Sequence, residues 1–333
     1  MNIPWKRPRR IWPTTLLLFL VFLAVHPAPV SAQGFQGLVD GCAQGAGGLT
    51  GRCHVAGLAL DALRGGLATA SALGPEIPGS ASTVGYRLRS SPRWALSART
   101  GLTRFSIPDL LDAYSLPVGD QTLTIPSFQL SGVVGVLNGF SPVPTVGGVL
   151  SLDVTASAQH LFTGGNRGFT DGLWGWGLGL RLGILRESFT LPGVSLSLAR
   201  RWLEEASFGR EGSRDPAHLE MKSRVTSMRA VAGKDLFGFG VFGGAGWDRI
   251  SGNGTVNLRL APEGPEAVAS RDGLSSDRLT YFAGLSRTFL ILQLSAEVGM
   301  SESLDPDLPV DPGGNDFPSA RAVYGSLGLR LTF

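Results

Sequence analysis

Long apolar runs are almost missing from this chain. The one clear stretch, Thr14 to Ala24, is well short of the ~20 residues a helix needs to cross a bilayer. Nothing later in the sequence approaches it, which excludes a helical membrane protein. Cysteine is scarce as well: Cys42 and Cys53 are the only two, and they form no CxxC motif. The four histidines, His26, His54, His160 and His218, are scattered. No metal and no cofactor is therefore expected. Charged residues make up only 17% of the chain.

What the chain does have is glycine, 47 residues of it, and a distinctive beginning. Lys6, Arg7, Arg9 and Arg10 precede the short apolar run, and Val30-Ser31-Ala32 precedes Gln33. A basic start, a short apolar core and a small-x-small site predict a secretory signal peptide over residues 1–32, cleaved on export. Its loss leaves 25 basic residues against 26 acidic ones. The basic character thus belongs to the precursor, and no nucleic-acid partner is expected. An exported chain meets an oxidising compartment, so Cys42 and Cys53 are expected to form a disulfide.

The most informative stretch is Trp174-Gly-Trp-Gly-Leu-Gly-Leu-Arg-Leu-Gly-Ile184. Even positions are Trp, Trp, Leu, Leu, Leu and Ile, and odd positions are Gly apart from Arg181. Period 2 means a strand. A bulky face opposed by a bare one must meet something wide and apolar, with Trp174 and Trp176 as its interfacial aromatics. That is the pattern of a transmembrane β-strand, whose backbone polar groups are satisfied in lipid only if the sheet closes.

Similar alternation recurs. From 65 onward it predicts an all-β, closed antiparallel transmembrane barrel of about twelve strands, with ten or fourteen also compatible. The expected strands are 65–73, 82–90, 93–106, 122–137, 147–162, 173–187, 193–208, 220–233, 237–250, 277–288, 290–303 and 320–333. Short connections near 90–92, 188–192, 234–236 and 289 alternate with long ones such as 107–121, 163–172, 209–219, 251–276 and 304–319. Outer-membrane barrels have this asymmetry, with short periplasmic turns and long outer loops. An even strand number puts both ends of the barrel in the periplasm. Before it, 33–64 reads as a plug or periplasmic segment, Gly-rich at first and then a short helix over 55–63, the only helix expected. The competing fold is a secreted β-sandwich or β-helix.

The last residues, Val323-Tyr-Gly-Ser-Leu-Gly-Leu-Arg-Leu-Thr-Phe333, alternate and end in an aromatic. This resembles the C-terminal strand of bacterial outer-membrane β-barrel proteins, a porin-like superfamily rather than a particular family. The resemblance implies a place in the outer membrane, a lipid bilayer around the barrel, and Phe333 as the signal read by the barrel-assembly machinery. Oligomeric state is not legible.

Parity assigns Arg87, Arg89, Arg99, Arg181, Arg201, Arg229 and Arg330 to the lumen, with Asp153, Asp248 and Glu297. Arginine stays ionised when poorly solvated and makes forked contacts to anions. Such a wall either favours small anionic solutes in a passive channel or braces the barrel against its own acids and plug. Phe105, Phe242 and Phe282 share that side, which keeps a hydrophobic-ligand transporter in view. A structural or surface-interaction barrel without an open pore is the remaining alternative. An enzyme is not expected. The placement of His160 on the lipid side near the outer rim resembles outer-membrane phospholipases, but Ser157-Ala-Gln-His160 lacks their motif. The loop with Asp305, Asp307, Asp311 and Asp316 reads as solvated.

Overall fold

In the computed structural model the described residues are 33–45, 50–84, 86–87, 91–111, 119–141, 149–164, 166, 168–169, 172–210, 215–259, 261, 264, 266–302 and 321–333. The expected signal peptide, Arg89 and the Asp305–Asp316 loop lie outside them, and so does the side chain of Arg87. Two helices come first, α1 (Gln33–Gly45) and α2 (Thr50–Ser71). Ten long strands follow: β1 (Trp94–Pro108), β2 (Asp120–Leu137), β3 (Ser151–Leu161), β4 (Leu173–Leu185), β5 (Gly193–Leu203), β6 (Ala217–Leu236), β7 (Phe239–Arg259), β8 (Glu266–Phe289), β9 (Leu292–Ser301) and β10 (Ala322–Thr332).

Each strand pairs antiparallel with the next, and β10 pairs with β1, so among the described residues the sheet closes with ten strands. One short strand, Ala206–Phe208, pairs with β6 outside the ring, and a two-residue ribbon joins Tyr86–Arg87 to Ser91–Pro92. The seam between the last and first strands is finished by Phe333. Its N–H donates to the Trp94 carbonyl at 2.9 Å, and the two rings stack with centroids 4.3 Å apart.

The count of about twelve is corrected to ten. Residues 65–71 extend the helix, because Gly-Gly-Leu-Ala-Thr-Ala-Ser is built of small residues that fit a helix enclosed on every side, and alanine favours that form. Among its described residues the 82–90 stretch supplies one arm, Tyr86–Arg87, of the short ribbon. The helix is also much longer than 55–63, and Gln33–Gly45, expected to be irregular, is a second one. Cys42 and Cys53 tie the two helices together in a disulfide.

Short turns gather at the Phe333 end, as the alternation of connection lengths predicts. The β6–β7 turn holds Phe237 at φ +55° and Gly238 at +83°, as the tightest hairpin turns require. At the other end, 251–276 is not a loop. β7 and β8 run on together as a hairpin to Arg259 and Glu266, with a register shift at Gly252/Gly254.

The outward face explains why. Its middle is an exposed apolar belt that includes Leu102, Leu130, Leu178, Leu285, Val298 and Leu327. Toward the mouth far from Phe333 the same face turns polar, with exposed Lys222 and Arg224 and an Arg249–Asp277 pair. The inward face turns apolar at that height, with Leu219, Met221, Val256 and Leu258 buried against α1 and α2. The strands therefore invert their polarity where they leave the apolar surroundings.

A cation placed on the belt should be costly. Leu327→Arg is expected to lower folding stability by about 2–4 kcal/mol, the range for a lipid-facing Arg at mid-bilayer. Thr226→Arg, on the polar part of the outer face, should cost under about 0.5 kcal/mol. Urea unfolding in lipid vesicles, read by heat-modifiable gel migration, measures both. Equal costs would mean that the belt does not face lipid.

Candidate functional site

The functional question is what fills the barrel. The chain enters at the mouth far from Phe333, where Gly34, Gly37, Gly41 and Gly45 of α1 run along Leu274, Arg271, Ala269 and Ala267 of β8. α2 then descends inside the ring, in contact with β1, β2, β3, β6, β7 and β10. Residues 72–84 continue downward to the Phe333 end. The extra pass through the lumen puts α1 at the opposite mouth.

A helix that stops at Ser71 inside a protein leaves its last carbonyls without partners. Wall arginines gather around this end, and one of them takes the carbonyl of the capping residue Ala72. Arg278 donates to the Gly65 carbonyl and to Thr69 Oγ1, Arg229 to the Ala72 carbonyl at 3.1 Å, and Arg99 to the carbonyls of Leu73 and Pro75, the latter at 2.7 Å. Cations at a helix C-terminus also meet the negative end of its dipole. Below the helix the grip continues. Arg201 pairs with Glu76 at 2.6 Å, Gln293 donates to the Gly79 carbonyl at 3.0 Å, and Arg181 donates to the Ser80 carbonyl. The Val84 N–H ends the row on Asp153 at 2.8 Å.

The acids assigned to the lumen are there too. Asp248 lies between Arg229 at 2.7 Å and Arg278 at 3.5 Å and accepts from Thr280 Oγ1. Glu297 accepts from Tyr324, whose hydroxyl in turn accepts the Gly74 N–H at 2.9 Å. Arg330 lines a small cavity of about 130 Å³ near the Phe333 end, with Ser80, Lys234 and Gln293.

Arg99, Arg181, Arg201, Arg229, Asp153, Asp248 and Glu297 therefore converge on one threaded segment instead of lining an aqueous bore. Three partners escaped the sequence reading. Arg278 was detectable, since it shares parity with the lumen-assigned Phe282 and stands directly opposite Asp248. Glu76 was not, because it lies on the plug. Tyr324 was hidden as one residue in the alternating last strand.

Two glycines are required by close approach. A Cβ on Gly66 would lie 2.1 Å from the Phe105 ring, and one on Gly74, where φ is +37°, would lie 1.7 Å from Glu297 Oε1. Phe242 and Phe282 are buried as expected, and among the described residues the apolar part of the lumen is occupied by α1 and α2. His160 packs edge-on against Phe162 and Trp174, with centroids 4.5 and 4.7 Å apart. Among the described residues no cluster of His, Cys, Asp or Glu is arranged to hold a metal ion.

Asp61 on α2 is enclosed above the apolar belt, and burial pushes its carboxyl up to about 6 despite the nearby Arg64. A carboxyl whose folded pKa exceeds its unfolded value destabilises the fold when ionised. The loss is full above about 6 and disappears as pH falls toward the ordinary value of 3.8. The difference in stability between the native chain and Asp61→Asn should therefore change by up to about 3 kcal/mol between pH 7.5 and pH 4, with the native chain gaining at the acid side. Unfolding midpoints across that range check it, and parallel curves would refute it.

Gly74→Val should dislodge the turn below α2. It is expected to destabilise the fold by at least about 2 kcal/mol and to expose residues 72–84 to protease, while Gly325→Ala on the outer face stays near neutral.

No protein-family model and no curated protein matches this sequence. Among solved structures the chain is similar to bacterial outer-membrane β-barrels. The translocator domain of the autotransporter NalP from Neisseria meningitidis is 11% identical with a TM-score of 0.39, over 73% of this chain and 89% of that one. Ail, the attachment invasion locus protein of Yersinia pestis, is 13% identical with a TM-score of 0.32, over 72% and 98%. The outer membrane protease OmpT of Escherichia coli is 12% identical with a TM-score of 0.35, over 76% and 100%.

Proposed function

We propose that this is a non-catalytic barrel of the bacterial outer membrane, exported by a cleaved signal over residues 1–32, whose pore is closed at rest by its own N-terminal segment. Its working surface is the outer mouth. The carrying observation is how the wall cations are used: Arg99, Arg181, Arg201, Arg229 and Arg278 each bond to the threaded segment between Gly65 and Ser80. An arginine held by a carbonyl or carboxylate is not available to a passing anion. The structural or surface-interaction reading thus gains over the passive channel. The channel reading keeps one support, the excess of cations over acids on the wall, which would select anions if the segment left.

Orientation follows from the turns. With the short connections and Phe333 in the periplasm, α1 and the Cys42–Cys53 disulfide stand at the cell-exterior mouth. Phe333 at the β10–β1 seam is suited to recognition by the assembly machinery.

Planar-bilayer recording tests the closed state. The full chain is expected to show no steady conductance. A chain lacking 33–84, or one carrying Arg99→Ala, Arg229→Ala and Arg278→Ala together, should conduct with a reversal potential of anion-selective sign. Steady conductance by the full chain would overturn the closed-barrel proposal. Cation selectivity after plug removal would overturn the role given to the wall arginines.

A further inference from the structure

The outer face of β5 and β6 carries a second set of cations that the lumen does not use. Arg200, Lys222 and Arg224 point outward and are exposed, Lys222 and Arg224 just beyond the apolar belt toward the far mouth and Arg200 at its upper edge, opposite Leu178. Register places them together. Trp202 is opposite Arg224, and Arg200 is opposite Thr226, the next outward residue after Arg224 on β6. Thr226 is in turn opposite Arg249 of β7. Diagonal neighbours on one face of a sheet lie within reach of long side chains.

Three carboxylates near this face are already engaged. Both oxygens of Asp277 accept from Arg249 at 2.9 Å. Glu204 accepts the Trp174 N–H at 3.0 Å, and Glu220 faces His218 at 3.3 Å. None of Arg200, Lys222 and Arg224 makes an ion pair with a described residue.

An aromatic pair stands level with Arg224, one outward step nearer the mouth than Arg200. Trp176 stacks on Trp202 with centroids 4.6 Å apart, and the Arg200 guanidinium lies 5.8 Å from the centre of the Trp202 ring. Below the pair the same outward rows continue as Leu178, Leu196, Leu198 and Met228.

We propose that this is a binding site for a phosphorylated lipid of the outer leaflet. Phosphates sit with Lys222 and Arg224 and are reached from the membrane side by Arg200, the headgroup lies against Trp176 and Trp202, and the acyl chains run down the leucine rows. The site commits to a lipid rather than a soluble anion because the cations are continuous with the lipid-facing belt. A clustered set of basic residues at that height attracts anionic headgroups. The inference rests on the proposed membrane setting and orientation. It adds a lipid partner to a barrel whose lumen is occupied.

Native mass spectrometry of the full-length protein tests it, with a diphosphorylated, multiply acylated glucosamine lipid competing against the same lipid without its phosphates. The native protein should prefer the phosphorylated form. Each of Arg200→Gln, Lys222→Gln and Arg224→Gln should reduce that preference about fivefold, and the triple variant should abolish it. Arg287→Gln should leave it unchanged, because that cation lies at the opposite rim, over Phe239 and Phe289.

Equal retention of the two lipids, an unaffected triple variant, or full displacement by inorganic phosphate would overturn the lipid site. Should the triple variant fail to fold, the single variants carry the test. Heat-modifiable migration separates the two levels. Protein that shows it yet lacks lipid preference refutes the site alone, and protein that lacks it refutes the membrane barrel on which the site depends.

Discussion

Burying the C-terminal end of a helix creates a demand that must be met locally, and in this protein the wall meets it with guanidinium groups. α2 ends at Ser71 within the barrel, so water cannot serve its last carbonyls. The helix satisfies part of the demand itself, through Ser71 Oγ donating to the Ala68 carbonyl and the Ala72 N–H donating to the same oxygen at 2.9 Å. Just past the last turn Arg229 and Arg99 take the carbonyls of Ala72, Leu73 and Pro75, and five donors apiece let them serve carbonyls and carboxylates at once. Arg229 does so, holding the Ala72 carbonyl and Asp248 together. A lysine in either position would lose the planar fork that makes this double use possible.

The same chain solves two solvent problems along each strand. In the belt, side chains toward lipid are apolar and those toward the lumen are polar, with Met228 outside and Arg229 inside. A few residues farther along β6, Lys222 is outside and Met221 inside. Only the surroundings change between these points, since a strand alternates faces at every residue regardless. The far-mouth half of the barrel is consequently a water-facing β-structure packed around two helices. The near half is a membrane barrel packed around an extended segment. The disulfide and the arginine row belong to different halves, and each stabilises the plug in the manner its half allows.

This inversion also marks what the sequence could reveal. Ten of the expected strands match real ones because period 2 survives a change of surroundings and needs no long-range information. Their extent was less legible. Val256 and Leu258 alternate with Asn257 and Arg259, but glycines at 252 and 254 interrupt the pattern and the segment resembles a loop. Small residues caused the error at 65–73, because Ala, Gly, Thr and Ser alternate in size as readily within an enclosed helix as in a strand. Parity put Arg99, Arg181, Arg201, Arg229, Asp153, Asp248 and Glu297 on the face that is buried, but it could not give their partners, since carbonyls of Ala72, Leu73 and Pro75 carry no sequence signature. An arginine row reads identically whether it faces water or a backbone.

The threaded segment and the closed wall are best understood as one cooperative structure. Arg99 on β1 and Gln293 on β9 lie on opposite sides of the seam strand β10, and both hold the segment between Leu73 and Gly79. The seam strand itself adds Tyr324, which receives the Gly74 N–H. A wall closed without the segment would leave a row of like-charged guanidinium groups facing one another across a water-filled lumen, at a cost in mutual repulsion. A segment without the wall would expose the carbonyls that those groups satisfy. Closing the seam around the segment removes both penalties together. Seating of the plug and closure of β10 on β1 are therefore energetically one event, and the arginines link them.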